Sequence, residues 1–206
     1  SGYSASALVF DLCNENQVSR ALKSIKNDPI HIIVNNAYSG VQGSQEFAKA
    51  ADYYYSYSTS VVATQLVFNL CINSLRLAVK LSGDASVINI ASMYGMESPD
   101  LRIYGSKAQA NPPQYGAAKA ALIQLTKYLA TEYGSEKIRV NSISPGPFPN
   151  PKKKTNSDDF INRLAQKVPL GRIGHPKEIQ GPIVFLASPL SSFINGANLV
   201  VDGGWT

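Results

Sequence analysis

The sequence predicts an α/β domain built on a parallel sheet that is covered on both faces. Three observations carry this expectation. Short, almost wholly apolar runs recur along the 206 residues, as strands buried on both faces require. Segments whose apolar residues fall at helical spacing separate these runs, so strand and helix alternate. The composition, 44% hydrophobic and 16% charged, is that of a globular protein, and the length suits a single domain over residues 1–206.

ALVFDL (7–12) is a short apolar run that ends at Asp11 and Leu12 and reads as the first strand. Asn14 then caps a helix whose Val18, Ala21, Leu22 and Ile25 share one face. Pro29 stops it, and IHIIVNNA (30–37) reads as a buried strand. Ser44 to Lys80 is mostly helical in pattern, although Tyr53-Tyr54-Tyr55 and the Ser/Thr-rich stretch 56–60 weaken it. SVINIAS (86–92) is another buried strand, followed by a polar loop over 93–113. A helix holding Tyr115 then runs to about Tyr133, and IRVNSISPG (138–146) is a strand closed by a turn. A basic, Pro-rich loop with Lys152, Lys153 and Lys154 leads into the amphipathic DDFINRLAQKV (158–168). HPKEIQGPIVFLASPLSSF (175–193) places Pro in a first helical turn, where it is tolerated, and ANLVVDGG (197–204) reads as a last strand and its stop. No repeat or linker divides the chain.

Composition narrows the function classes. The formal net charge of +5 is too small and too dispersed to argue for nucleic acid. Cys13 and Cys71 lie far apart without metal-type spacing and read as reduced thiols, which suits a cytoplasmic protein. No uninterrupted apolar run is long enough for a bilayer, and SGYSASALVF lacks the basic region and apolar stretch of a signal peptide.

The chemistry gathers around NPPQYGAAKAAL (111–122). Tyr115 and Lys119 are four residues apart, so on a helix they share one face. A free tyrosine is a poor acid or base at neutral pH, whereas a nearby ammonium favours its phenolate and lets it exchange a proton with a carbonyl or alcohol oxygen. Alone, the pair is common on helix surfaces. Its setting is not: Gly116, Ala117, Ala118, Ala120 and Ala121 permit close packing, and Ser92 ends the strand before it. In a parallel sheet, ligands gather at the carboxyl ends of strands.

VNNA (34–37), INIAS (88–92), YGAAK (115–119), IRVNSISPGP (138–147) and FLASPLSSFINGANLVVDGG together resemble the short-chain dehydrogenase/reductase family, over essentially the whole chain and in order. The resemblance implies a Rossmann-like, doubly wound parallel sheet and hydride transfer between NAD or NADP and a carbonyl or hydroxyl. It implies that Tyr115 is the general acid/base, that Lys119 lowers its pKa and binds the nicotinamide ribose, and that Ser92 orients the substrate oxygen. It further places Asp11 and Leu12 beside the adenine, Asn36 and Ala37 at the adenosine ribose, Pro145 and Gly146 against the nicotinamide, and Phe148 at its carboxamide. A homodimer or homotetramer is implied too, with contacts through the Tyr115 helix and the C-terminal helix and strand. More narrowly, SMYG, the long loop before Tyr115 and SISPGPFP look like a bacterial branch serving flagellin modification and sialic-acid-like sugar synthesis. That branch implies a sugar or sugar-nucleotide substrate, with the loop walling its site.

Three departures stand against the pattern. The family's opening strand and TGxxxGxG loop, whose backbone N–H groups hold the pyrophosphate, have no match, so the sequence reads as lacking the family's first strands and as N-terminally incomplete. NNAG is NNAY here, with Tyr38 in place of a glycine. The family's active-site Asn has no counterpart around Tyr57–Gln65. The first and last of these motivate an alternative, a non-enzymatic binding or scaffold member of the fold.

Overall fold

The structure, a computed structural model, describes residues 4–25, 27–149 and 157–206. Four strands, β1 (Ile32–Asn35), β2 (Ala85–Ile90), β3 (Ile138–Pro145) and β4 (Asn198–Val201), form one sheet in the order β1-β2-β3-β4, every neighbouring pair parallel. The apolar runs lie where the sequence places them because both faces are covered. On one face Phe68, Leu75 and Ala78 of α3 (Ala63–Ser82) and Leu129 and Ala130 of α4 (Pro113–Tyr133) pack on Ala85, Val87, Ile138 and Val140. On the other, Leu186 of α6 (Gln180–Ala187) packs on Ile88, Ile90 and Ile143. Burial of each large side chain stabilises the fold by about 1.5–3 kcal/mol. Buried Arg139 on β3 reaches Asp84, the Leu186 carbonyl and Ser191, tying the α6 layer to the sheet.

The first expected strand is not one. Residues 4–11 are irregular, and Leu8 and Val9 are exposed. A strand exists only where a neighbour takes its N–H and C=O groups, and among the described residues none pairs with this segment. The helix after it is as expected: α1 (Glu15–Lys23) starts at Asn14, whose side chain accepts from the Gln17 N–H at 3.1 Å, and Val18 is fully buried. β1 is an edge strand among the described residues. Its Ile33 faces the core, while Ile32 and Val34 are exposed.

The long helical segment starts at Ala50 rather than Ser44. It runs as α2 (Ala50–Tyr57), a π-helical turn over Ser58–Val62 and α3, closing at Gly83, whose φ of +91° suits glycine. The π turn falls in the Ser/Thr-rich stretch that weakens the helix pattern. There Thr59 Oγ1 donates back to the carbonyls of Tyr55 (3.0 Å) and Ser56 (3.2 Å). The stretch Ala50–Ser82, 33 residues, is long and apolar enough to cross a bilayer by length and composition. The expectation that no apolar run is long enough to cross a bilayer is therefore corrected: small polar residues interrupt this one without raising its charge. In the structure Phe68, Leu75 and Ala78 of this helix belong to the core.

The loop 93–113 winds through short 3₁₀ turns at Met93–Gly95, Leu101–Ile103 and Lys107–Gln109. Pro113 occupies the first turn of α4. α5 (Asp158–Lys167) is capped by Ser157, whose Oγ accepts from the Phe160 N–H at 3.2 Å. The basic run Lys152–Lys154 lies outside the described residues.

Candidate active site

Parallel strands end at one edge of the sheet, and that edge collects most of the residues singled out in the sequence. Ser92 follows β2, Pro145 and Gly146 end β3, and Asn36 and Ala37 follow β1, exposed. α4 then brings its first turns over the same edge. Two glycines make this possible. A Cβ on Gly116 would lie 2.6 Å from the Tyr94 carbonyl oxygen, and one on Gly95 would lie 2.9 Å from the Ala120 nitrogen. The turn after Ser92 and the start of α4 are thus in backbone contact, which fixes Ser92 beside Tyr115. Gly116→Val is expected to cost about 1–3 kcal/mol, against little change for Ala117→Val at an exposed position; denaturant midpoints check this.

Tyr115 lies beside Ser92, whose Oγ accepts from the Tyr94 N–H at 3.2 Å. Burial raises the Tyr115 pKa above its ordinary value; the neighbouring Ser92 hydroxyl opposes the rise and Tyr38 adds to it. Lys119 is 3% exposed, donates to the Ile90 carbonyl at 2.6 Å, and its Nζ lies 5.7 Å from the Tyr115 ring centre. Burial lowers its pKa to about 8.

Tyr38 is a participant that motif reasoning left at the margin. Its ring meets that of Tyr115 edge-on, with centres 4.8 Å apart, and its hydroxyl lies 3.0 Å from Ser56 Oγ. Asn35, not Asn36, braces the strands: its Nδ2 donates to Asn89 Oδ1 at 2.8 Å, and Asn89 donates to Thr126 at 2.9 Å.

A cavity of about 850 Å³ opens beside Ser92 and Tyr115. The long loop walls it through Tyr104, Gln109 and Asn111, and α5 through Phe160, Arg163 and Leu164. Gly146 and Phe148 border it as well. Gly146 is held to β4 by its N–H, which donates to the Val201 carbonyl at 2.9 Å, and a Cβ there would strike Asp202 at 2.5 Å. Tyr94 and Tyr104 pair through their hydroxyls at 3.3 Å, and burial, then Tyr104, pushes the Tyr94 pKa well up. Asn111 Oδ1 is buried without a hydrogen-bond partner. Nothing in the motifs marks Tyr104, Asn111 or Arg163, since their place depends on how the loop and α5 fold back over the strand ends.

The exposed strand end at Asn36–Ala37, the turn at Gly146 and the start of α4 with Tyr115 and Lys119 lie at the same edge of the sheet, an arrangement with room for an extended ligand such as a dinucleotide. Asp11 and Leu12 are not joined to them by the sheet. Asp11 instead closes its own turn, accepting from the Cys13 N–H at 2.9 Å.

A family model described as "Enoyl-(Acyl carrier protein) reductase" matches residues 1–206. The chain is 36% identical to the 3-oxoacyl-(acyl-carrier-protein) reductase FabG of Chlamydia trachomatis, over 98% of this chain and 77% of that protein. Among solved structures it is similar to a short chain dehydrogenase from Leptospira borgpetersenii with bound NAD+, with TM-score 0.82 and 33% identity, over 96% of this chain and 74% of that one. It is also similar to a gluconate 5-dehydrogenase from Burkholderia cenocepacia in complex with NADP and tartrate, with TM-score 0.80 and 26% identity, over 96% and 74%.

Proposed function

The chain belongs to the short-chain dehydrogenase/reductase family, and from that premise we propose that it transfers hydride between NAD or NADP and a polyhydroxylated, sugar-type carbonyl or hydroxyl substrate. The observation that carries the chemistry is that Ser92 and Tyr115 line the same cavity side by side, with buried Lys119 one helical turn from the tyrosine. In this reading Tyr115 exchanges the proton of the reacting oxygen, and Ser92 holds that oxygen against it. Lys119 supplies positive charge beside the phenol and, with Asn36, Ala37, Pro145, Gly146 and Phe148, holds the cofactor. The oxidoreductase relatives weigh against the scaffold alternative.

The sugar-type substrate rests on the lining. Gln42, Gln109 and Asn111 bring amides to the lining, and Tyr94, Tyr104 and Phe160 bring aromatic rings, the mixture that suits a sugar. The unpartnered Asn111 Oδ1 would accept from a substrate hydroxyl. The solved gluconate 5-dehydrogenase supports this class. The flagellin-modification branch rests on its motifs alone. A second reading, a 3-oxoacyl chain, is favoured by the FabG relative and by the apolar side of the cavity at Met93, Phe148 and Leu164. Nicotinamide absorbance with gluconate and with an acetoacetyl thioester separates the two. On the first reading gluconate turns over, and Asn111→Ala raises its KM about tenfold with kcat nearly unchanged, as loss of one buried hydrogen bond requires. An unchanged KM, or turnover of the thioester alone, gives the second.

Residues 1–206 are read as one domain, assembled as a homodimer or homotetramer in the cytoplasm. Exposed Tyr128 on α4 and Val184, Leu190 and Phe193 in and after α6 support the contacts.

A further inference from the structure

Tyr38 stands where the family pattern has glycine, and nothing in the proposed chemistry requires a side chain there. Yet four features of the structure hold it. Its ring meets Tyr115 edge-on at 4.8 Å between centres. The Lys119 Nζ lies 5.5 Å from the centre of the same ring, within cation–π reach. Its hydroxyl lies 3.0 Å from the Oγ of Ser56, a residue 1% exposed in the last turn of α2 before the π-helical turn. Gly40 makes the room: a Cβ there would come within 2.3 Å of the Tyr38 hydroxyl oxygen. A side chain with one polar anchor, two functional neighbours and a space cleared for it is held in place from several sides.

We propose that Tyr38 is a positioning residue for the acid/base pair, its ring fixing Tyr115 and covering Lys119 while Ser56 pins its hydroxyl. The inference rests on the reading of Tyr115 and Lys119 as the reacting pair. Three segments far apart in sequence meet in it: the loop after β1, the end of α2 and the start of α4. The packing is directional. An edge-on ring contact of this kind favours one arrangement of the two rings and so opposes displacement of the Tyr115 phenol from Ser92. Over Lys119 the ring has two effects. It attracts the ammonium and excludes water from it. Tyr38 and Tyr115 are the titratable groups that face Lys119 among the described residues, and the Ile90 carbonyl is its hydrogen-bond acceptor. Burial, which lowers the Lys119 pKa to about 8, is thus supplied in part by Tyr38.

The test uses protein carrying lysine labelled with ¹³C at Cε, with the Lys119 signal identified by its loss in Lys119→Met. Tyr38→Ala admits water, and the Lys119 titration midpoint is expected to rise by about one pH unit. Gly40→Ala, which displaces Tyr38 without altering it, is expected to move the midpoint the same way. Tyr38→Phe keeps the ring and should leave it close to wild type. On whichever of gluconate or the acetoacetyl thioester the protein turns over, Tyr38→Ala should lower kcat about tenfold with KM little changed, as misplacement of a reacting group does. If Tyr38→Ala does not fold, Tyr38→Leu and Gly40→Ala decide. A midpoint and kcat unchanged in these variants would overturn the proposal. If Tyr115→Phe retains turnover, the acid/base reading fails instead, and the midpoint shift still reports whether Tyr38 covers Lys119.

Discussion

Tyr115→Phe is expected to fold, to bind its nicotinamide cofactor, NADH or NADPH, as tightly as the wild type, and to lose about 10³-fold in turnover, within the range that general acid–base groups contribute. The expectation follows from what the substitution removes. The ring remains, with its edge-on contact to Tyr38, so packing at the start of α4 is preserved. The hydroxyl goes, and with it the proton that the reacting oxygen exchanges. Fluorescence titration with NADH and with NADPH, and the turnover rate, read the two effects separately.

Lys119→Met is expected to change how stability depends on pH. In the folded protein burial lowers the Lys119 pKa to about 8, against 10.5 for an ordinary lysine. Below pH 8 the lysine is protonated in both states, and folding must desolvate an ammonium at a cost of about 3 kcal/mol. Between about pH 8 and 10.5 the unfolded chain binds more protons than the folded one, so this group's contribution makes stability rise with pH across that window. Methionine fills similar space without the charge. The variant should therefore lack that rise and be more stable than wild type at pH 7, offset by loss of the bond to the Ile90 carbonyl. Urea midpoints of the two proteins at pH 7, 8, 9 and 10 check this through their difference, which cancels the other titrating groups. A constant difference across the series would show that Lys119 does not titrate as its burial dictates. A lysine kept at this cost in a buried position beside a cavity marks a candidate functional group.

Much of the fold was legible because burial on both faces writes continuous apolar runs. SVINI and IRVNSIS are β2 and β3, and IHIIVNNA contains β1. ALVFDL carries the same local signal and is not a strand, since strand formation depends on a neighbour that local sequence does not reveal. The helix from Ala50 was harder to read because its ladder passes through a π turn, where the Thr59 hydroxyl bonds back to the backbone. At the site, the spacing of Tyr115 and Lys119 and the strand end at Ser92 were readable as a motif. The electrostatics were not, because the state of Lys119 depends on the Ile90 carbonyl and on two tyrosine rings. The cavity wall was only partly readable. The loop 93–113 announced itself by its length, but that Asn111 would bury an unpaired oxygen depends on its path.

In the proposed reaction the chain moves hydride to or from a substrate carbon while Tyr115 handles the proton. NADH or NADPH, whichever the protein binds, deuterated at the transferring C4 position and incubated with the protein and the oxidised form of its substrate, tests this by mass spectrometry of the product. One deuterium on the former carbonyl carbon is expected with wild type, and essentially no labelled product with Tyr115→Phe. Product without deuterium, or equal labelling by the two proteins, would contradict the claim.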